Sequence, residues 1–275
     1  MPERNFSLRV STSLDKAYAA KQVVFCDFDG PIVDVSERYY RTYRKGLLAI
    51  ENAVSQDFSI QSGQVQSKHV GGCMLDLHPL SKAQFWDMKQ NRIADLEIAI
   101  RSGLPADLFE PFIQQVQRLV NHPSLLSWDC LQPTALSALR YFNQCNMRLV
   151  LVTLRHPRQV RALLQEHGIE HLVDDVYGAS DINAAHANRV EQKCELLVEA
   201  IAQQKARGYS VQTSWMIGDT EADVLAGQAM GLKTAALSCG VRSERYLQQL
   251  QPSKMYGCLL SAAQDLVESA MLQVA

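Results

Sequence analysis

No stretch of the 275-residue sequence approaches the roughly 18 consecutive apolar residues that a membrane-spanning helix needs. The longest apolar runs, such as Leu149 to Leu154, have the length of a strand. Met1 to Lys21 lacks the apolar centre of a secretory signal and carries Glu3, Arg4, Arg9, Asp15 and Lys16, so a cytoplasmic location is expected. The seven cysteines are odd in number and never fall as CxxC, and the seven histidines do not cluster. A disulfide framework and a zinc site are therefore not expected. An excess of one charge is missing too. Lys and Arg number 27 against 29 Asp and Glu, a formal net charge of -2, so bulk electrostatics give no reason to expect nucleic acid or an anionic membrane as partner. Any phosphate binding must be local. No repeat of solenoid-like period occurs.

What remains is an ordinary globular composition, 47% hydrophobic and 20% charged, in a chain long enough for one large domain or two small ones. Val23 to Cys26 is a continuous apolar run that stops abruptly at Asp27, as expected of a buried parallel strand whose carboxyl end opens onto a site. Similar runs recur at Arg148 to Val152, Leu172 to Tyr177, Ser214 to Ile217 and Thr234 to Leu237. Between them lie helical faces: Leu136, Leu139 and Phe142; Val160, Leu163 and Leu164, with Gly168 as the cap; and Cys194, Leu197, Val198 and Ile201. Strands alternating with such helices predict an α/β fold with a parallel, Rossmann-like sheet flanked by helices. From Ser36 to about Cys130 strand signals fade. Tyr39, Tyr43 and Leu47 repeat every four residues, Leu108 to Val120 is amphipathic, and Phe85 to Ile100 is read as containing a third helix. The expected organisation is an α/β core over 21–35 and 131–275, an inserted helical unit over 36–130, and an N-terminal extension over 1–20. A closing amphipathic helix is predicted around Ala262 to Leu272.

Asp27-Phe28-Asp29-Gly30 stands at the end of the first strand, where ligands of open α/β sheets bind. Two neighbouring carboxylates repel unless a cation or a shared proton relieves them, and a hard divalent metal would do so. Turn formation by Asp and Gly is the plainer alternative. Gly218-Asp219-Thr220-Glu221-Ala222-Asp223 repeats that placement after another apolar strand, with a helix starting near Thr220 and closed by Gly231. Capping explains Glu221 and Asp223, and explains Asp219 less well. Thr153 ends the 148–152 run, and Pro157 opens the next helix after Leu154, Arg155 and His156; a hydroxyl and free amides at such a turn can hold a phosphate oxygen. Lys193, in the polar stretch Arg189 to Glu195, would ordinarily be solvated surface.

These four features, in this order, resemble the signature of the haloacid dehalogenase superfamily over Val23 to about Gly240, and the segment Gly218 to Gly240 resembles its phosphoglycolate phosphatase-like subgroup. The resemblance implies that the insertion is that family's helical cap and that the reaction is phosphotransfer with magnesium. It further implies Asp27 as nucleophile forming an aspartyl-phosphate, and Asp29 as general acid and base, a role suited to a raised carboxyl pKa. Asp27, the Asp29 backbone carbonyl and Asp219 would hold Mg2+, with Asp223 in support. Thr153, Lys193 and the amides of Phe28, Asp29 and Leu154 would surround the phosphoryl group. The implied partner is a small phosphorylated metabolite such as phosphoglycolate or a sugar phosphate, and a monomer or homodimer is expected. Pro31 replaces the usual Thr and Leu154 a common Asn, while Asp34 matches a trailing motif residue or simply caps a helix. In the insertion, Arg41, Arg44 and Lys45, or the loop Lys68-His69-Val70-Gly71-Gly72, would offer substrate contacts. Solvated charge and aromatic core are the plainer readings there.

Asp29 speaks against a metal-independent dehalogenase, which lacks that second carboxylate in this family. Phosphonate hydrolysis would need a cap lysine, and none of Lys45, Lys68, Lys82 or Lys89 stands out. A phosphomutase would keep all four motifs. An idle binding module would not need both carboxylates and the lysine.

Overall fold

A computed structural model describes residues 22–61 and 75–274. The N-terminal extension and the Lys68 to Gly72 loop lie outside the described residues. The strands in chain order are β1 (Val23–Cys26), β2 (Val33–Asp34), β3 (Cys130–Leu131), β4 (Arg148–Thr153), β5 (Asp175–Gly178), β6 (Trp215–Gly218), β7 (Lys233–Leu237) and β8 (Lys254–Tyr256). Six of them form one sheet in the order β5-β4-β1-β6-β7-β8, with every pairing parallel. Alternation along each strand sends side chains to both faces. Val24, Cys26, Leu149, Leu151 and Ile217 pack on one face against α6 (Ala135–Gln144), α7 (Pro157–Glu166) and α12 (Leu259–Val274). Val23, Phe25, Val150, Val152 and Met216 pack on the other against α9 (Val190–Ala206) and α10 (Glu221–Ala229). Both faces are covered, which is why these strands read as unbroken apolar runs.

The remaining core helices are α8 (Ala184–Ala187) and α11 (Glu244–Gln249). Between β2 and β3 the chain leaves the sheet for α1 (Ser36–Gln61), α2 (Lys82–Gln90), α3 (Asp95–Arg101), α4 (Phe109–Val120) and α5 (Pro123–Leu126). Tyr43, Leu47, Phe85, Ile98, Phe112 and Val116 build a separate apolar core there. The aromatic repeat of α1 is thus interior packing. Arg44 and Lys45 are exposed, and Arg41 pairs with Glu37 at 2.6 Å and lies over the Trp128 ring. None of these three cations is among the residues lining the cleft at the strand ends, in keeping with the plainer reading of them as solvated charge. The antiparallel ribbon of β2 and β3 forms the neck between the two cores.

Helix ends follow the chain's own signals. Gly168 (φ +64°) and Gly231 (φ +68°) close α7 and α10 with the paired backbone bonds of Schellman motifs. Two expectations shift. The 85–100 segment is two helices, because α2 closes the same way with Arg92 left-handed (φ 61°) and Ile93 bonded back to Met88. The fifth strand starts at Asp175, since Glu170–Leu172 turns as a 3₁₀ helix. Among the described residues no helix is long and apolar enough to cross a membrane.

Candidate active site

β1 sits between β4 and β6, and the chain crosses from β5 over to β6, so the carboxyl end of β1 faces the crevice where connections diverge to either side. Asp27 follows β1, its amide held by the Ile217 carbonyl (2.8 Å). Its Oδ1 accepts the Phe28 amide at 2.7 Å, and its Oδ2 lies 3.0 Å from Lys193 Nζ. Lys193 stands in the first turn of α9 and is fully buried, not solvated. Its ammonium also reaches Asp223 Oδ1 (2.7 Å) and donates to the Val152 carbonyl (2.9 Å). Burial alone would lower its pKa, and the carboxylates of Asp223 and Asp27 more than reverse this.

Asp219 follows β6 and is fully buried. Its Oδ2 accepts the Val241 amide at 2.5 Å, and its Oδ1 finds no hydrogen-bond partner among the described residues. Asp223 does two things with its two oxygens. Oδ2 caps α10, taking the Thr220 hydroxyl (2.8 Å) and the amides of Thr220 and Asp219, while Oδ1 takes Lys193. Asp27, Asp219 and Asp223 each offer an oxygen within 4.8 Å of the others. Three carboxylates against the one ammonium leave two negative charges uncompensated. Burial and the Asp223 charge accordingly push the Asp27 carboxyl up to about 7, and burial with Asp223 and Asp27 raises Asp219 well above the carboxylate range. An orphaned buried oxygen, hard oxygen donors and a deficit of two positive charges fit a divalent cation such as Mg2+.

Asp29 behaves differently from expectation. Its side chain is outside that cluster, with Oδ1 on Arg155 (2.9 Å) and Oδ2 on Arg38 (3.1 Å). Burial would raise its carboxyl, but Arg155 and then Arg38 more than reverse this and hold it below the usual range. The expected upward shift is thus corrected, and of the Asp29 oxygens only the backbone carbonyl remains as a metal donor. Asp34 Oδ1 accepts the Ser36 amide, which is the capping role. The turn after β1 is satisfied without an amide at Pro31, because Ile32 and Val33 both donate to the Phe28 carbonyl.

Above these groups lies a cleft of about 50 Å³ lined by Asp27, Asp29, Thr153 and Leu154 from the strand ends and by Tyr39 and Lys89 from the inserted helices. Thr153 is buried, and its hydroxyl oxygen accepts the Arg155 amide at 3.2 Å. Leu154 packs its side chain on Ala179, Ala184 and Ala222. The Phe28 ring is core and lies under the Arg155 guanidinium, and its amide, expected to face the phosphoryl group, donates to Asp27 Oδ1. Arg38, Asp129 and Arg155 are site residues that the sequence did not single out for a role. Arg38 and Asp129 lie 91 residues apart, and nothing local in the sequence couples them.

A model of the haloacid dehalogenase-like hydrolases matches residues 21–231. The chain belongs to this hydrolase family. Two curated relatives, both phosphoglycolate phosphatases from strains of Vibrio vulnificus, are 26% identical over 148 residues and 28% identical over 136. The matches take in 53% and 49% of this chain, and the chain spans only 57% and 52% of the relatives' own lengths. A solved haloacid dehalogenase-like family hydrolase from Streptococcus pneumoniae superposes with a TM-score of 0.59 at 17% identity, over 88% of this chain and 96% of that one. At that identity the likeness concerns the α/β fold with its helical insertion.

Proposed function

We propose that the chain is a magnesium-dependent phosphatase that hydrolyses a small phosphorylated metabolite, of the size of phosphoglycolate or a sugar phosphate, through an aspartyl-phosphate at Asp27. One observation carries this reading: Asp27 lies at the end of β1, 3.0 Å from a fully buried lysine, in a carboxylate cluster short of two positive charges. The names of the Vibrio relatives point the same way. Asp27, Asp219 and the Asp29 carbonyl would hold Mg2+, with Asp223 supporting them through Lys193. The bound ion supplies positive charge to the phosphoryl oxygens and offsets repulsion between carboxylates.

The chain's own groups do the rest. Asp27 Oδ2 attacks phosphorus, forming the Oδ2–P bond as the ester oxygen leaves. Lys193 steadies the attacking carboxylate and neutralises charge beside it, and the Thr153 hydroxyl and the amides of Asp29 and Leu154 face the transferring oxygens. Asp29 lines the cleft beside Asp27 and, held ionised by Arg155 and Arg38, takes the proton of the water that attacks phosphorus and restores the Asp27 carboxylate, while the leaving oxygen takes its proton from solvent. The inserted helices close over the cleft, and their Tyr39 and Lys89 meet the leaving group.

The test is phosphate release from an aryl phosphate and a panel of small phosphate monoesters, with magnesium or EDTA. Release is expected with magnesium alone and is expected to fall by at least about a thousandfold in Asp27→Asn with the fold retained. Release that survives EDTA, or an active Asp27→Asn protein, would overturn the reading.

A further inference from the structure

The two arginines on Asp29 do not end there. Arg38 Nε also binds Asp129 Oδ1 at 2.8 Å, and Arg155 Nη2 binds Asp129 Oδ2 at 2.7 Å. Each guanidinium therefore bridges both carboxylates and each carboxylate bridges both guanidiniums, giving a closed ring of four alternating charges with no net charge. The side chains of Arg38, Arg155 and Asp129 are 2%, 3% and 0% exposed. Aromatic faces seat the two cations, Tyr39 beneath Arg38 at 5.0 Å and Phe28 beneath Arg155 at 5.6 Å. Arg38 also donates to the Val120 carbonyl at the end of α4.

The ring spans the molecule's two parts. Asp29 and Arg155 follow β1 and β4 of the sheet, while Arg38 is in the first turn of α1 and Asp129 directly precedes β3, on either side of the neck. Buried ion pairs contribute little net stability compared with apolar packing, because desolvation offsets most of their attraction. What the closed ring supplies is orientation: each oxygen of Asp29 is held by a different guanidinium, Oδ1 by Arg155 and Oδ2 by Arg38. We infer that Arg38, Asp129 and Arg155 are positioning residues that aim the Asp29 carboxylate at the water attacking the aspartyl-phosphate. This rests on the reading of the site proposed above.

The consequence is specific to one half-reaction. With an activated aryl phosphate, departure of the phenolate needs no proton, so transfer to Asp27 is insensitive to Asp29 orientation, whereas hydrolysis of the aspartyl-phosphate requires it. Arg38→Met and Asp129→Asn are therefore expected to lower kcat by at least about tenfold, part of the roughly 10²–10⁴ that a positioned base supplies. KM falls in the same proportion, kcat/KM stays within about threefold of wild type, and covalent phosphate accumulates on the protein. Arg38→Lys separates aim from folding. It restores the charge and the thermal stability, but one ammonium does not reproduce the planar fork, so kcat stays low.

An unchanged kcat in Arg38→Met and Asp129→Asn overturns the inference, as does recovery of kcat in Arg38→Lys or an equal fall in kcat and kcat/KM with no covalent phosphate. Wild-type protein that releases no phosphate from the aryl ester overturns the phosphatase reading and this inference together; an active wild type with indifferent ring variants overturns this inference alone.

Discussion

Asp27 and Asp219 are held with raised carboxyls while Asp29, one residue from Asp27's neighbour Phe28, is held low, and the difference is one of compensation. Asp29 meets two guanidiniums, whereas Asp27, Asp219 and Asp223 share a single ammonium. A carboxyl raised from 3.8 to about 7, as at Asp27, favours the protonated folded state. Its contribution is fully present below the unfolded pKa near 4 and is lost as pH rises through about 7, so the metal-free protein loses stability over that window. On the proposed function magnesium would compete with those protons, and its stabilisation should grow with pH. A metal held at ten times its Kd adds about 1.4 kcal/mol, which is an upward shift in Tm of roughly 3–5 °C for a chain of this size. The expected result in differential scanning fluorimetry is a clear magnesium shift at pH 8, a much smaller one at pH 5.5, and none at either pH in Asp219→Asn. An equal shift at both values would contradict the cluster as the metal site. At this scale Asp27, Asp29, Thr153 and Asp219 were legible because each stands where an apolar run breaks on a polar residue. Lys193 was legible only through the family resemblance, since a lysine among Arg189, Glu191 and Glu195 looks solvated. The partners of Asp29 were not legible, because a ring closed by Arg38 and Asp129 depends on how the two ends of a ninety-residue insertion meet.

The elements that carry these residues are short strands whose carboxyl ends are held together by close backbone approaches. Gly240, in the loop after β7, lies so near Asp219 that an added Cβ would land on its carboxylate, and an added Cβ at Gly30 (φ +94°) would meet the same carboxylate. The Gln132 side chain ties these two loops by donating to the carbonyls of Gly30 (2.9 Å) and Cys239 (3.2 Å). Gly240→Ala is therefore expected to destabilise the protein by about 1–3 kcal/mol through overpacking and to abolish the magnesium shift. Gly257→Ala, where a Cβ meets nothing and φ is ordinary, should change stability by less than about 0.5 kcal/mol. Urea unfolding with and without magnesium measures both. A Gly240→Ala protein that binds magnesium normally would mean that the Asp219 cradle is not needed. β1, β4, β6 and β7 were visible as apolar runs because both sheet faces are covered. β8 escaped because three half-buried residues on a sheet edge carry no period, and β2 and β3 because two residues each are held only by the neck they form.

The whole molecule presses a helical insertion onto the open end of a parallel sheet, with Tyr39 and Trp86 packing on the sheet's core and polar pairs crossing the same junction. Glu221, in the first turn of α10, is gripped by Arg242 at 2.7 and 3.0 Å and reached from the insertion by Arg92 at 2.7 Å. Arg242 Nη1 donates to the Lys89 carbonyl, and Gln90 Nε2 to that of Gly240. The α/β architecture and the helical texture of 36–130 were readable from periodicity. The seating of one on the other was not, because it rests on side-chain pairs far apart in the sequence. This seating leaves a cleft of about 50 Å³ that Asp27 lines together with Tyr39 and Lys89 of the insertion. In the function proposed above, Asp27 takes the phosphoryl group covalently in that cleft. The direct measurement is to mix wild-type protein with an aryl phosphate and magnesium, quench in acid during turnover, and map the digest by mass spectrometry. Phosphate on the peptide containing Asp27, absent without magnesium and absent in Asp27→Asn, is the expected result; steady phosphate release with no covalent phosphate on that peptide at any quench time would contradict the account.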